Sequence, residues 1–200
     1  MLLQRVITAL VLLAVLLAAL FADSPAPFVG LTLVFIAAAA WEWARLNGVA
    51  GAGAVASGLL CAVVCAGLWW GGAVARPLPG LWMAAAAAWV LGGAGLLARG
   101  VAGWPRVPRA LRWLVGFAGL CVAWLALAQA RGIGINFLLS VLFLVWAADV
   151  FAYFAGRALG GRLTGGRKLA PGISPGKSWE GVWGGMLGVL IVAVVWIWID

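Results

Sequence analysis

Histidine is absent from the 200 residues, so Ser-His-Asp and Cys-His catalysis and histidine-ligated metal sites are excluded. Charge is scarce as well, at 9% of residues with only five acids, and soluble domains carry about 25% charged residues. The three cysteines, Cys61, Cys65 and Cys121, lie inside apolar runs, which gives no support to a disulfide framework or a zinc site with Cys/His spacing. The thirteen basic residues give a net charge of +8 but sit in short clusters between uncharged stretches, not on a nucleic-acid-binding face. What remains is 66% hydrophobic, more apolar surface than a soluble domain of this size can hide. The composition therefore predicts an all-α, polytopic membrane helical bundle.

A bilayer core about 30 Å thick takes about 20 helical residues, because each backbone N–H and C=O must be paired within its own segment. Seven apolar runs, free of charge except for Glu42 in the second and Asp149 in the sixth, meet this length: residues 6–22, 28–44, 54–75, 81–98, 114–130, 133–154 and 182–199. The first is too long for the apolar core of a signal peptide, about 7–15 residues, and is followed by further spans. The segments between runs are rich in Pro, Gly and Asn, as turns are. Alternate connections differ sharply in basic content. One set holds Arg5, Arg45, Arg99, Arg106, Arg109, Arg112, Arg157, Arg162, Arg167, Lys168 and Lys177, and the other only Arg76 and Arg131. By the positive-inside rule the N-terminus and the 156–181 loop are cytoplasmic. The whole chain reads as a single membrane domain, residues 1–200.

Tryptophan is abundant, with fourteen residues. Trp41, Trp43, Trp69, Trp70, Trp104, Trp113, Trp179, Trp183, Trp196 and Trp198 lie near span ends, as an interfacial belt requires. The i,i+4 pairs Gly67/Gly71 and Gly184/Gly188 permit close helix approach in lipid.

Asp149 is the most informative polar residue. It lies inside the sixth apolar run, where a carboxylate costs about 2.5–3.5 kcal/mol on insertion scales, so it should face a bundle interior, a polar cavity or a cation. A structural pairing with Arg157 is the alternative. Glu42 is expected to pair with Arg45 at i+3. The 156–181 loop combines glycines, which let backbone approach a ligand, with Ser174, Ser178, Arg162, Arg167, Lys168 and Lys177. This set suits a polyphosphate or a lipid phosphate at the membrane surface, or nonspecific headgroup binding. Ser174 or Ser178, followed by Glu180 and an apolar run, can start the seventh helix, whose positive end favours the same anion. A P-loop is excluded, because its first glycine would fall at Pro171.

Asp149 at a span end, Lys168-Leu169-Ala170-Pro171, then Ser174-Pro175-Gly176-Lys177-Ser178-Trp179-Glu180-Gly181 and Gly184-Gly185 form a pattern that resembles the bacterial CDP-diacylglycerol synthases, or phosphatidate cytidylyltransferases. In that family the stretch runs Asp, small residues, Tyr, Gly-Arg/Lys, then K-L-A-P-x-[IV]-S-P-x-K-[TS]-W-E-G. The match is dense over about residues 146–185; the first 145 residues agree in style only. The resemblance implies cytidylyl transfer from CTP to phosphatidate, with Mg²⁺ and a second, monovalent cation. It implies Lys177 and Asp149 as catalytic groups, with Asp149 also the metal ligand. Arg167 and Lys168 would neutralise phosphate charge, Ser174 and Ser178 would donate to phosphate, and Glu180 would cap the helix or support a substrate contact.

The implied partners are CTP, phosphatidate and the bilayer of a bacterial inner membrane, with a homodimer as the expected assembly and no nucleic acid. The sequence departs from the family in Asp149-Val150-Phe151-Ala152-Tyr153, where relatives often have Asp-Ser/Thr-Gly-Ala-Tyr, so Phe151 narrows the pocket. The family's later S-x-x-K-R-x-x-x-K-D and H-G-G elements do not occur before Asp200, so the chain is expected to be an N-terminal portion of a longer family fold, incomplete as an enzyme. Two readings from other classes remain: a small transporter or channel with Asp149 on an ion path, and a non-catalytic membrane segment that binds anionic lipid.

Overall fold

A computed structural model describes residues 2–166, 168–172 and 174–199. Its helices are α1 (Leu2–Leu20), α2 (Ala26–Leu46), α3 (Ala52–Trp70), α4 (Pro79–Gly103), α5 (Arg109–Ile133), α6 (Ile135–Leu159) and α7 (Trp179–Ile199). Each is long and apolar enough to cross a membrane, as the seven apolar runs predict. The protein is a multi-pass membrane protein. Some helices end before their runs, α1 at Leu20 and α3 at Trp70, and others, α4, α5 and α6, continue beyond them. Thus α6 continues to Leu159, leaving Asp149 nearly three turns from the helix end. Two strands interrupt the α6–α7 connection, β1 (Lys168–Ala170) and β2 (Ser174–Ser178), in a region where the sequence shows no strand periodicity.

The chain divides into two compact units, Met1–Ile135 and Asn136–Asp200. In the first, α2, α3 and α5 bury a core of Val29, Ala40, Cys61, Cys65, Cys121, Trp124, Leu125 and Ala128. Apolar side chains cover the outward faces as well, because lipid, unlike water, does not penalise them. With little hydrophobic drive between helices in lipid, close packing and interhelical hydrogen bonds hold this unit.

Those bonds come from an unexpected source. Trp124, fully buried, donates its indole N–H to the Val29 carbonyl at 3.3 Å. Trp43 donates to the Trp113 carbonyl, and Trp113 to Ser57 Oγ. Position near span ends had placed Trp43 and Trp113 in an interfacial belt; the structure uses them as ties between helices. Gln129 accepts from Trp82 Nε1 and donates to the Ala73 and Arg76 carbonyls, fastening the turn before α4. Arg131, nearly buried, donates from Nε to the Leu20 carbonyl and from Nη2 to the Ala22 carbonyl, closing the C-terminus of α1, where a cation is favoured. Glu42 pairs with Arg45 at 3.1 Å, as expected from their spacing.

Close approach in this unit rests on different glycines from those the sequence suggested. Gly67 has open space around it, and Gly71 meets only the carbonyls of its own helix. Gly58 instead lies against α2, where an added methyl would meet the Ala37 carbonyl at 2.9 Å. Gly116 receives the Trp43 indole. Gly58→Ala is therefore expected to destabilise the protein by about 1–3 kcal/mol, and Gly67→Ala is not. Thermal unfolding of the two variants in detergent, followed by circular dichroism, checks the contrast.

Candidate functional site

The second unit holds the residues singled out by the loop pattern. Its two helices meet through small residues. A methyl on Gly181 would lie 3.0 Å from the Ala152 carbonyl, and one on Gly185 2.9 Å from the Ala148 carbonyl. Gly184 packs on Ala155 and Gly188 on the Phe151 ring, so the Gly184/Gly188 spacing does mark a close helix contact. The ring of Phe151 is thus seated against Gly188, on the helix contact face.

Beyond Leu159 the chain makes a closed turn. Gly161, Gly165 and Gly166 adopt positive φ of 82°, 65° and 83°, a region that L side chains disfavour. The Gly166 N–H closes the turn on the Gly161 carbonyl at 3.1 Å. β1 then pairs antiparallel with β2, Lys168 opposite Ser178 and Ala170 opposite Ser174, with a bulge between. Pro171 and Gly172 lie in the hairpin turn.

The hairpin feeds directly into α7. Ser178, 4% exposed, accepts from the Gly181 N–H at 3.3 Å and so caps the helix, choosing between the two serines the sequence offered. Glu180, 2% exposed in the first turn of α7, reaches back to the glycine turn. Its Oε1 accepts from Leu163 N at 3.2 Å, Thr164 N at 3.0 Å and Thr164 Oγ1 at 2.8 Å. The carboxylate also lies at the positive end of the α7 dipole. Its buried Oε2 has no hydrogen-bond partner among the described residues.

This arrangement sorts the candidate residues. Ser178 and Glu180 are brought together on the buried side of the hairpin, and both are engaged in holding it to α7. Lys168 is cross-strand from Ser178 and exposed; Lys177, one residue before Ser178, projects to the opposite face and is exposed. Ser174 is half-buried. Arg167 lies outside the described residues. Asp149 is exposed on α6. Seven residues and about 10 Å of rise separate it from Gly156, which lies on nearly the same side of the helix against Ser178. The expected alternative partner of Asp149, Arg157, instead donates to Tyr153 Oη at 3.1 Å.

The sequence pattern has the glycines of this loop bring backbone close to a ligand, which would use its amides as donors. In the structure the Arg162, Leu163, Thr164 and Gly166 amides are used within the unit, and the Lys168 and Lys177 side chains are exposed. Thr164 was the residue missed; its signal is a hydroxyl between glycine pairs, with no local partner to reveal it. Glu180→Ala is expected to speed amide exchange at Leu163 and Thr164 about tenfold or more, the loss of hydrogen bonds to a charged group worth about 1.5–3 kcal/mol each. Residue-resolved hydrogen exchange of the protein in detergent measures this, with the α7 amides as an internal reference.

The sequence model of the Cytidylyltransferase family matches residues 3–200. Among curated proteins, phosphatidate cytidylyltransferase of Pseudomonas aeruginosa is 39% identical over 193 residues, covering 93% of this chain and 67% of that protein. Its namesake in Haemophilus influenzae is 56% identical over 64 residues, 32% of this chain and 20% of that protein. The one in Staphylococcus saprophyticus is 37% identical over 82 residues, 41% of this chain and 30% of that protein. The chain thus spans about two thirds of the Pseudomonas protein's length and smaller parts of the other two. No solved structure matches. Taken with the hairpin, the capped helix and the seven apolar helices, the match over nearly the whole length shows that this chain belongs to the cytidylyltransferase family.

Proposed function

We propose that this chain serves cytidylyl transfer from CTP to phosphatidate, forming CDP-diacylglycerol and diphosphate. In that reaction a phosphate oxygen of phosphatidate bonds to the α-phosphorus of CTP, and the bond from that phosphorus to the departing diphosphate breaks. The nucleophile is already anionic, so the lack of histidine is no obstacle. The observation that carries the proposal is that the family-like residues from Lys168 to Gly185 occupy one local structure, in which hairpin, Ser178 cap and Gly181/Gly185 helix contact are continuous.

In this reading Lys177 and Lys168 hold phosphate charge from the two faces of the hairpin, joined by Arg167 from the same connection. Ser174 supplies a hydroxyl at the strand start. Glu180 and Ser178 position the hairpin over α7 through their observed bonds. The groove lined by Ala148, Ala152, Gly181, Gly185, Val189 and Leu190 is apolar and suits an acyl chain of the lipid substrate. The distribution of basic residues supports a cytoplasmic N-terminus and hairpin in a bacterial inner membrane, the side on which CTP is available.

Asp149 fits a Mg²⁺ ligand by its chemistry: its carboxylate is exposed and has no ion-pair partner among the described residues. Mg²⁺ commonly takes one or two carboxylates together with substrate phosphates and water. Bound there, the ion would neutralise phosphate charge.

In membranes carrying the chain, phosphatidate and Mg²⁺, radiolabel from CTP is expected to enter CDP-diacylglycerol, and Lys177→Ala to lower the rate about a hundredfold. Asp149→Asn is expected to weaken the Mg²⁺ dependence. A rate in Lys177→Ala equal to that of the starting chain contradicts the assignment. If the chain supports no turnover, CTP binding that is unchanged in Lys177→Ala does so equally.

A further inference from the structure

The cysteines of this chain number three, and all three meet at one place that the proposed reaction does not use. Cys61 and Cys65 are one turn apart on α3, and Cys121 faces them from α5. All are buried and free. Their sulphurs lie within 4.8 Å of one another, with Cys61 Sγ 3.8 Å from Cys121 Sγ and 4.0 Å from the Ile36 carbonyl. Small apolar packing alone accounts for a buried cysteine, but not for three sulphurs converging from two helices. With the sulphurs between 3.8 and 4.8 Å apart, a point equidistant from all three lies about 2.2–2.8 Å from each, so an inward shift of a few tenths of an ångström brings them to the about 2.3 Å of a metal–thiolate bond.

We propose that Cys61, Cys65 and Cys121 form a three-sulphur site for a trivalent, thiol-seeking metalloid, of the class of arsenic(III) and antimony(III). Charge selects this class. The sulphurs share a buried core with Val29, Ala40, Trp124, Leu125 and Ala128, and the buried charged side chain of this unit among the described residues, Arg131, lies ten residues along α5 from Cys121, on the Leu20 and Ala22 carbonyls. Three thiolates around a monovalent or divalent ion would leave net negative charge in this apolar core, which is costly without a paired cation. Three thiolates around a trivalent centre leave none.

The uncharged hydroxide, As(OH)₃, enters as a neutral molecule through local opening of the helices. Each thiol sulphur then forms a bond to arsenic as one As–O bond breaks, and the thiol proton leaves with that hydroxide as water. Three thiols and As(OH)₃ give As(SR)₃ and three waters, with no change of oxidation state. The product ties α3 to α5 within the first unit.

The test uses the whole chain in detergent, reduced with a phosphine, treated with arsenite and desalted. Intact mass is expected to show one arsenic with three protons lost, and X-ray absorption three sulphur neighbours. Cys61→Ala, Cys65→Ala and Cys121→Ala are each expected to release the arsenic that the parent chain retains. An unmodified parent chain, fewer than three sulphurs on arsenic, or full retention in Cys121→Ala overturns the proposal. So does displacement of arsenic by equimolar copper(I), since that ion would leave two negative charges in the core. Should the variants fail to fold, the sulphur count of the parent chain decides alone.

Discussion

The connection between α6 and α7 has little apolar surface to bury, so its order depends on one polar interaction: the carboxylate of Glu180 gathering the Leu163 and Thr164 amides. Three glycines at positive φ give the turn a shape that few other residues adopt, and by themselves they leave it loose. Glu180 supplies the missing constraint from the first turn of a rigid helix, and Ser178 fixes where that helix begins. The basic side chains Lys168 and Lys177 are thus carried, exposed, on a frame held from the inner side by Ser178 and by Oε1 of Glu180. Such a frame suits binding of phosphates, because the donors are placed before the ligand arrives.

Much of the architecture is legible because the bilayer imposes so strict a length. A run such as 182–199 has no other way to satisfy its backbone, and each of the seven runs corresponds to a helix. The hairpin was not legible. Lys168–Ala170 and Ser174–Ser178 include Pro175 and Gly176 and show no alternation of apolar residues, so strand propensity does not announce the pairing. For the same reason Ser178 and Glu180 could be read as a helix start from their spacing, whereas the reach of Glu180 to Thr164, sixteen residues away, could not.

Polar handles in the first unit show the complementary limit. Tryptophans near span ends suggest interface anchors, yet Trp43 and Trp113 direct their N–H groups to other helices, where lipid offers no competing acceptor. Arg131 counts in the sequence as a sparse outer charge; its folded role is to close α1. Likewise Cys61 and Cys65 suggest a common helix face by their spacing, but the arrival of Cys121 from a helix sixty residues away is a property of the packing alone.

The central claim is that the hairpin between α6 and α7 is where the nucleotide binds. Hydrogen exchange of the intact chain in lipid nanodiscs, with and without CTP and Mg²⁺, tests it most directly. The account expects slowed exchange in the 160–178 segment and none in the basic segment around Arg106 and Arg109. Protection confined to the latter segment, with the hairpin unchanged, would contradict it.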